Sequence, residues 1–269
     1  MPELPEVETT VRGLRPVLEG QVLERVTLRR GDLRRPFPEG LGQHLTGARV
    51  TGLGRRAKYG LIDTDRGDTL IFHLGMSGRW RIDPAELGKH DHFVLETAKH
   101  RLALNDARRF GSLDMVPTAE LDSWPAFAAL GPEPLGPDFD AAHLFATFKE
   151  RTAPVKALLL DQRVVAGLGN IYVCEALFLS GIAPTRAAGT VTKPRLAKLV
   201  VAVREVLEAA IAAGGSTLKD YARPSGELGY FAKQWRVYGR EGQPCSCSGL
   251  VERRVDGGRS TFWCPRCQK

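Results

Sequence analysis

The sequence predicts a multidomain α+β protein, because three regions of the chain carry three different patterns. Between residues 21 and 116, short apolar runs alternate with turn residues, which is typical of antiparallel strands and favours a β-sandwich. Beyond the Pro- and Gly-rich stretch 130–137, the apolar spacing becomes helical. Four cysteines crowd the C-terminus and indicate a small third module.

The elements follow from these patterns in chain order. The first predicted helix covers residues 5–18 behind Pro5, with apolar positions at helical spacing. The strands predicted after it lie at 22–28, 60–63, 70–74, 93–96 and 102–104. A long amphipathic helix is predicted over 195–213, where Gly214 and Gly215 end it. Residues 216–231 lack periodicity and are interpreted as a mobile loop.

These boundaries predict three domains. The sandwich domain covers residues 1–130, the helical domain covers 131–230, and the cysteine module covers 231–269.

The charge favours a polyanionic partner. The chain carries 38 Lys and Arg against 31 Asp and Glu, a net charge of +7, and the basic residues are grouped near residues 29–35 and 55–58. No apolar run approaches the ~20 residues of a membrane span, and the N-terminus lacks the pattern of a signal peptide. We therefore expect a cytoplasmic protein without a membrane partner.

The first residues carry the sharpest chemical signal. Removal of Met1 would leave Pro2 as a secondary amine with a pKa near ~8, so part of it is a neutral nucleophile in the cell. Glu3 and Glu6 supply carboxyls close to that amine, as acid–base chemistry on a sugar requires. A structural interpretation stays open, in which Pro5 begins a helix and the glutamates complement its dipole.

The cysteines have the spacing C-x-C-x16-C-x2-C, formed by Cys245, Cys247, Cys264 and Cys267. Four thiolates suit tetrahedral zinc, and this segment holds no histidine that would compete as a ligand. The first pair is one residue shorter than the usual C-x2-C, which puts its geometry in question. A metal-free or disulfide-linked hairpin is the alternative. A closed four-sulfur site would serve folding rather than catalysis.

Three further segments allow a nucleic-acid role. Gly169 and Asn170 precede a helical pattern and form either an anion site for a phosphodiester or a plain helix cap. Met76 lies on a glycine-flanked turn, and Phe110 follows two arginines, so each is either a core residue or a wedge that unstacks bases. Lys58, His90 and His92, likewise, have a default interpretation as surface or sheet residues.

Together these motifs resemble the bacterial formamidopyrimidine-DNA glycosylase family over essentially the full chain. The matching segments are 2–9, 55–59, 73–78, 89–92, 108–111, 130–135, 169–172, 237–240 and the terminal cysteines. The family's sister group, which removes oxidised pyrimidines, typically has Gly where this chain has Leu4. That difference favours the branch that acts on purine lesions.

The resemblance implies an N-terminal antiparallel β-sandwich with flanking helices, a helix-two-turn-helix domain around Asn170 and a C-terminal zinc-finger β-hairpin. It implies base-excision repair by a bifunctional DNA glycosylase and abasic-site lyase, which excises 8-oxoguanine and formamidopyrimidines from duplex DNA and cuts the strand by β,δ-elimination. One structural zinc ion, a monomeric state and nucleoid association in the bacterial cytoplasm are expected with it.

The resemblance also assigns residues. Pro2 is the expected Schiff-base nucleophile, Glu3 moves protons at the opened deoxyribose, Lys58 serves β-elimination and Arg259 serves δ-elimination. The expected DNA-binding residues are His90, Arg151 and Asn170 at phosphates, Met76, Arg108 and Phe110 in the gap left by the everted nucleotide, and Glu6. The loop 217–230 is expected to close over the damaged base.

Two other functions fit parts of the sequence. A non-enzymatic zinc-finger DNA binder explains the basic charge and the cysteines but gives Pro2 no role. A tautomerase with an N-terminal proline explains Pro2 but leaves the helical region and the cysteines without a purpose.

Overall fold

The computed structural model describes residues 2–215 and 231–269, and its contacts divide the chain into two compact units. Unit 1 comprises Met1–Ala128 and Ile211–Ala232, and unit 2 comprises Ala129–Ala210 and Lys233–Lys269. The loop predicted at 216–231, with its lesion-recognition part at 217–230, lies outside the described residues except for Phe231, which begins a short 3-10 turn. The division into three domains at 130 and 230 stays a prediction.

Unit 1 contains two four-stranded antiparallel sheets. The first sheet has the order β1 (Arg25–Leu28), β6 (Asp91–Glu96), β7 (Arg101–Asn105) and β5 (Arg79–Ile82). The second has the order β2 (Val50–Arg56), β3 (Tyr59–Thr64), β4 (Asp68–His73) and β8 (Ser112–Pro117). The described part of this unit also has the α-helices α1 (Leu4–Leu18), α2 (Leu41–Leu45) and α3 (Pro125–Ala128).

One hydrophobic core joins the two sheets and α1. The Trp80 ring lies edge-on to Phe72 of one sheet at 5.6 Å and to Phe93 of the other at 6.1 Å. The helix contributes the four apolar residues that its sequence spacing predicts, each at most 2 % exposed: Val7, Val11, Leu14 and Leu18. Burial of this stripe fixes α1, and with it the start of the chain, on a rigid support.

Unit 2 is helical and ends in a hairpin. Its helices are α4 (Ala141–Phe148), α5 (Val155–Leu160), α6 (Asn170–Leu179) and α7 (Lys193–Ala212), whose last two residues belong to unit 1. The long helix predicted at 195–213 is confirmed within two residues. No helix of the described part of the chain is long and apolar enough to span a membrane.

The C-terminal hairpin consists of β9 (Glu252–Asp256) and β10 (Arg259–Trp263). Asp256 pairs with Arg259 across a two-residue turn in which Gly257 and Gly258 both have positive φ, 55° and 75°. Such turns need φ values that only glycine adopts without strain. Arg259 is therefore the first strand residue after a tight turn.

Candidate active site

The start of α1 is held by reciprocal hydrogen bonds between Glu3 and Glu6. The backbone N–H of Glu3 donates to Oε2 of Glu6 at 2.8 Å, and the Glu3 carboxylate accepts from the backbone of Glu6. Both side chains are only 2 % exposed, and Pro2 is buried as well. This capping box fixes the backbone that carries Pro2. Glu6 thus caps the helix terminus, and its predicted role in DNA binding stays a prediction.

The chain after α7 packs directly on this terminus. Gly215 has a φ of +82°, and a Cβ added there would lie 3.1 Å from Oε1 of Glu6, so only glycine fits without strain. The Gly215 carbonyl accepts from the N–H of Phe231 at 3.3 Å. Residues 215 and 231 thus meet beside Glu6.

Lys58 lies in the two-residue turn between β2 and β3. Arg55 links this turn to α1, because its Nη1 donates to the Ala57 carbonyl at 2.8 Å and its Nε donates to Glu8 at 3.2 Å. Burial raises the pKa of Glu8, but its bonds to Arg12 and Arg55 outweigh that effect and lower it. The ionised Glu8 therefore ties the helix that carries Pro2 to the turn that carries Lys58.

Three segments of interest meet at one end of the second sheet. In its register Tyr59 pairs with His73, and His73 pairs with Ser112. Lys58 precedes Tyr59, Met76 follows His73 closely, and Phe110 precedes Ser112. Antiparallel pairing therefore brings the catalytic lysine candidate and the wedge candidates to the same sheet end.

The pKa of His73 is shifted by burial and by the positive charges at this sheet end. Burial lowers the pKa of His73 to about 4, with further lowering by the nearby cations Lys58, Arg34 and Arg35. Its neutral ring accepts the N–H of Gly75 through Nδ1 at 3.0 Å and lies 4.9 Å from the Tyr59 ring. The concentration of positive charge suits a phosphodiester backbone.

The wedge candidates lie outside the hydrophobic core. Phe110 is 45 % exposed, with the Arg108 guanidinium 4.8 Å from its ring centroid, and Met76 is half-buried. The two segments touch backbone to backbone, since a Cβ added to Gly75 would lie 2.3 Å from the carbonyl carbon of Phe110. An exposed aromatic ring held on a tight turn is available to a partner, which a core residue is not.

His90 lies just before β6 and is half-buried. Its ring is 6.0 Å from the ring of His92, and its carbonyl accepts from the N–H of Asp106 at 3.0 Å. His90 thus borders the segment that leads to Arg108 and Phe110.

In unit 2, two predicted DNA-contact residues are close neighbours. The Asn170 side chain, at the start of α6, donates through Nδ2 to the Ser260 carbonyl at 2.8 Å, next to Arg259. Lys156 reinforces this region, because its Nζ donates to the same carbonyl at 3.1 Å and to Oγ1 of Thr261 at 2.7 Å. Lys156 is not among the residues predicted from the sequence, although a lysine inside the apolar run 155–160 is an available signal.

Arg151 is exposed in the turn after α4. A hydrogen bond from Arg163 lowers the pKa of Asp161, and the charge of Arg151 lowers it further by a smaller amount. Arg151 therefore lies beside the turn of Asp161, and its predicted role at a phosphate stays a prediction.

The four C-terminal cysteines form a metal-binding cluster. Their sulfurs all lie within 4.8 Å of one another, with Cys245 3.7 Å from Cys267 and Cys247 3.5 Å from Cys264. Tetrahedral zinc with Zn–S bonds of ~2.3 Å requires sulfur separations of about 3.8 Å, so the donor set fits one zinc ion.

The shortened first pair also converges on this centre. The backbone adapts at Ser248, which has a positive φ of 65°, and at Gly249, where a Cβ would lie 3.3 Å from the Cys247 sulfur. Hydrogen bonding to Cys267 lowers the pKa of Cys247 to about 7, whereas burial raises the pKa of Cys264. Four thiolates this close together repel one another, so a bound cation is needed for all four to be deprotonated at once.

Glu175, which is not among the residues predicted from the sequence, connects α6 to the finger. Its carboxylate is 3 % exposed and accepts three backbone N–H groups, from Arg236 at 2.9 Å, Val237 at 3.0 Å and Tyr238 at 2.8 Å. The neighbouring Cys174 is buried in the finger's core cluster. A glutamate in an otherwise apolar helix was the available signal.

Comparisons with known proteins identify the family. Three family models match successive segments: the formamidopyrimidine-DNA glycosylase N-terminal domain at residues 1–113, the H2TH domain of the same enzymes at 130–222, and the zinc finger found in FPG and IleRS at 242–269. The resemblance inferred from the motifs and the predicted fold class are thereby confirmed.

Full-length relatives and solved structures agree. Proteins named formamidopyrimidine-DNA glycosylase from Rhizorhabdus wittichii and Novosphingobium aromaticivorans are each 70 % identical over 100 % of both chains. The MutM (Fpg) crystal structure from Thermus thermophilus matches with a TM-score of 0.90 and 43 % identity over 99 % of this chain and 98 % of that one. A complex of Lactococcus lactis Fpg with DNA containing an abasic site matches with a TM-score of 0.92 and 34 % identity over 100 % of both chains. The chain therefore belongs to the formamidopyrimidine-DNA glycosylase family.

Proposed function

We propose that this protein, a DNA glycosylase and abasic-site lyase by family, excises oxidised purines from duplex DNA through a Schiff base on Pro2. Its proposed substrates are 8-oxoguanine and formamidopyrimidines, and it cuts the strand at the resulting abasic site by β,δ-elimination. The observation that carries the proposal is the buried capping box that fixes Pro2 and Glu3 at the start of α1, a helix that Glu8 and Arg55 link to the turn of Lys58. A Lactococcus lactis relative crystallised with Fapy-dG DNA adds support.

The first steps use the amine and one carboxyl. After removal of Met1, the neutral nitrogen of Pro2 attacks C1′ of the deoxyribose, and the bond between C1′ and the base breaks as the base leaves with a proton. Glu3 donates a proton to the ring oxygen O4′, which opens the sugar and leaves an iminium between Pro2 and C1′.

The iminium then drives strand cleavage. It acidifies the C2′ hydrogen, so removal of that proton expels the 3′ phosphate by β-elimination, and a second elimination expels the 5′ phosphate. Water finally hydrolyses the iminium and frees Pro2. Lys58 is proposed to act in the β-elimination and to contact the DNA backbone, and Arg259 to act in the δ-elimination and bind a phosphate.

Residues of both units are proposed to bind the duplex. The target sugar is unreachable inside a stacked helix, so eversion costs a few kcal/mol that protein contacts must offset. Met76, Arg108 and Phe110 fill the vacated space, and the exposure of Phe110 supports this role. Proposed phosphate contacts come from His90, Arg151 and Asn170.

The zinc finger contributes structure to this function. The residues that would hold the ion are Cys245, Cys247, Cys264 and Cys267, and a bound zinc supplies the cross-links that fold this small hairpin module. The folded hairpin presents Arg259 at the start of β10. A monomeric state and association with the nucleoid through DNA binding remain part of the proposal.

A lesion panel tests the substrate assignment. Single-turnover excision is measured on duplexes that carry 8-oxoguanine, a formamidopyrimidine, an oxidised pyrimidine or no lesion. We expect the two purine lesions to react at least 10-fold faster than the pyrimidine, with no cutting of undamaged DNA. Equal rates on purine and pyrimidine lesions would overturn the assignment to purines.

The lesion panel, together with a DNA-free assay on a small keto acid, separates the two other functions suggested by the sequence. A non-enzymatic DNA binder would bind all four duplexes without releasing a base. A tautomerase would turn over small keto acids without DNA, which we do not expect.

A further inference from the structure

Asp106 carries a buried carboxylate that joins two separate segments of unit 1. The side chain is 0 % exposed. Its Oδ1 accepts the Ser77 hydroxyl at 2.6 Å, in the turn that carries Met76. Its Oδ2 accepts the N–H of Gly111 at 2.8 Å, at the end of the loop that carries Arg108 and Phe110.

The start of that loop is bound to the same groups. The N–H of Arg108 donates to Oγ of Ser77 at 3.2 Å and to Oδ1 of Asp106 at 3.3 Å. Asp106 therefore closes both ends of the five-residue loop 107–111 and bonds its neighbouring turn. Loss of the carboxylate would leave buried donors without their acceptors, which is costlier than loss of an exposed hydrogen bond.

The backbone of Asp106 extends this network to the histidine segment. Its N–H donates to the His90 carbonyl at 3.0 Å, and its carbonyl lies 3.0 Å from Nε2 of His92. The loop 107–111 and the segment that begins at His73 are also in close contact, because a Cβ added to Gly111 would lie 2.7 Å from the His73 carbonyl oxygen. One residue thus fixes three neighbouring segments relative to one another.

We propose that Asp106 is a positioning residue that sets the relative placement of Met76, Arg108 and Phe110 and thereby controls their entry into the duplex. The inference rests on the proposed role of these three residues in filling the space left by the everted nucleotide. A wedge offsets the cost of unstacking only when its side chains arrive together in one geometry. Asp106 itself does not touch the substrate.

A matched control distinguishes positioning from general support of the fold. Asp91 is also 0 % exposed, and its carboxylate accepts Arg81 at 2.6 Å, Gly88 at 2.7 Å and Asn105 at 2.8 Å. Those partners lie outside the two wedge segments. Asp91→Ala therefore removes an equally buried carboxylate of the same unit, but none of the hydrogen bonds that hold the Met76 turn or the loop 107–111.

The experiment uses full-length protein and a duplex with 2-aminopurine beside an 8-oxoguanine, measured at saturating enzyme. Insertion of the wedge unstacks the probe and raises its fluorescence. We expect Asp106→Ala to lower both the fluorescence amplitude and the excision rate at least 10-fold, but to slow cutting of an abasic duplex less than 3-fold. Asp91→Ala should keep the full amplitude.

A milder pair of variants covers the case in which Asp106→Ala does not fold. Ser77→Ala removes one bond to the carboxylate and should lower the amplitude 2- to 3-fold, whereas Ser77→Thr keeps the hydroxyl and should restore it. Full amplitude and full excision rate in both Asp106→Ala and Ser77→Ala would overturn the inference. Full amplitude in Met76→Ala and Phe110→Ala would instead show that the proposed wedge is wrong, and the inference would fall with it.

Discussion

His73 should make the stability of unit 1 depend on pH in a way that one substitution removes. Burial, together with Lys58, Arg34 and Arg35, lowers its pKa in the folded protein to about 4, against about 6.5 in an unfolded chain. As the pH falls from 6.5 towards 4, the unfolded chain therefore binds the proton first, and the folded state loses stability. Protonation also removes the Nδ1 acceptor that holds the Gly75 N–H.

The size of the effect follows from the two pKa values. At pH 4.5 the linkage relation gives a loss of about 2 kcal/mol relative to pH 7 from this one group. His73→Asn places an amide oxygen where Nδ1 lies and does not titrate. It loses the ring contact with Tyr59, which costs about 1 kcal/mol at pH 7. The wild-type protein should thus be more stable at pH 7 and lose that advantage by pH 4.5.

Urea unfolding followed by circular dichroism at both pH values measures this difference. Any zinc loss at low pH should affect both proteins equally, so the contribution of the cysteines cancels in the comparison. His73→Phe separates the two effects, because it keeps a ring beside Tyr59 but leaves the Gly75 N–H without its acceptor, at a cost of about 1–3 kcal/mol at either pH. If the free energy of unfolding falls equally with pH in wild type and His73→Asn, the lowered pKa of His73 does not contribute to the stability of the folded protein.

Three other perturbations have equally definite outcomes. Glu6→Ala removes the acceptor of the Glu3 N–H, so thermal denaturation should show that the free energy of unfolding falls by about 1 kcal/mol, and borohydride trapping should show slower formation of the Schiff base. Glu6→Gln should keep most of the stability and most of the trapping rate. Equal behaviour of the two variants would argue against the capping box. Glu175→Ala leaves the backbone N–H groups of 236–238 without their acceptor and should speed zinc loss to a chelator, and an unchanged rate would contradict that role. Cys264→Ser should lower bound zinc, measured by mass spectrometry of the metal, from one ion to nearly none and weaken DNA binding; full zinc content would exclude the four-cysteine site.

The helices with strong apolar periodicity could be predicted from the sequence, whereas several strands with weak alternation could not. Helix α1 and helix α7 have strong apolar periodicity, and both form within two residues of the predicted bounds. Strand β2 escaped prediction because Gly52 and Gly54 weaken its pattern, and β5 and β8 were not predicted either. The strand predicted from residue 22 begins at Arg25, since Val22 forms only an isolated bridge.

Within the candidate site, residue types were predictable but their supporting contacts were not. The four cysteines and the Pro2–Glu3–Glu6 segment are close in sequence or have a recognisable spacing. Asp106 and Glu175 accept hydrogen bonds from partners as far as 29 and 61 residues away, and sequence spacing does not identify those partners. The neutral state of His73 likewise arises from burial and surrounding cations that only the tertiary fold assembles.

The covalent role of Pro2 is tested most directly by peptide mapping of the trapped complex. Full-length protein is mixed with 8-oxoguanine duplex and borohydride, digested, and analysed by tandem mass spectrometry. We expect one deoxyribose adduct, on the nitrogen of Pro2, in protein that has lost Met1. An adduct on Lys58, or full activity in protein that retains Met1, would contradict it.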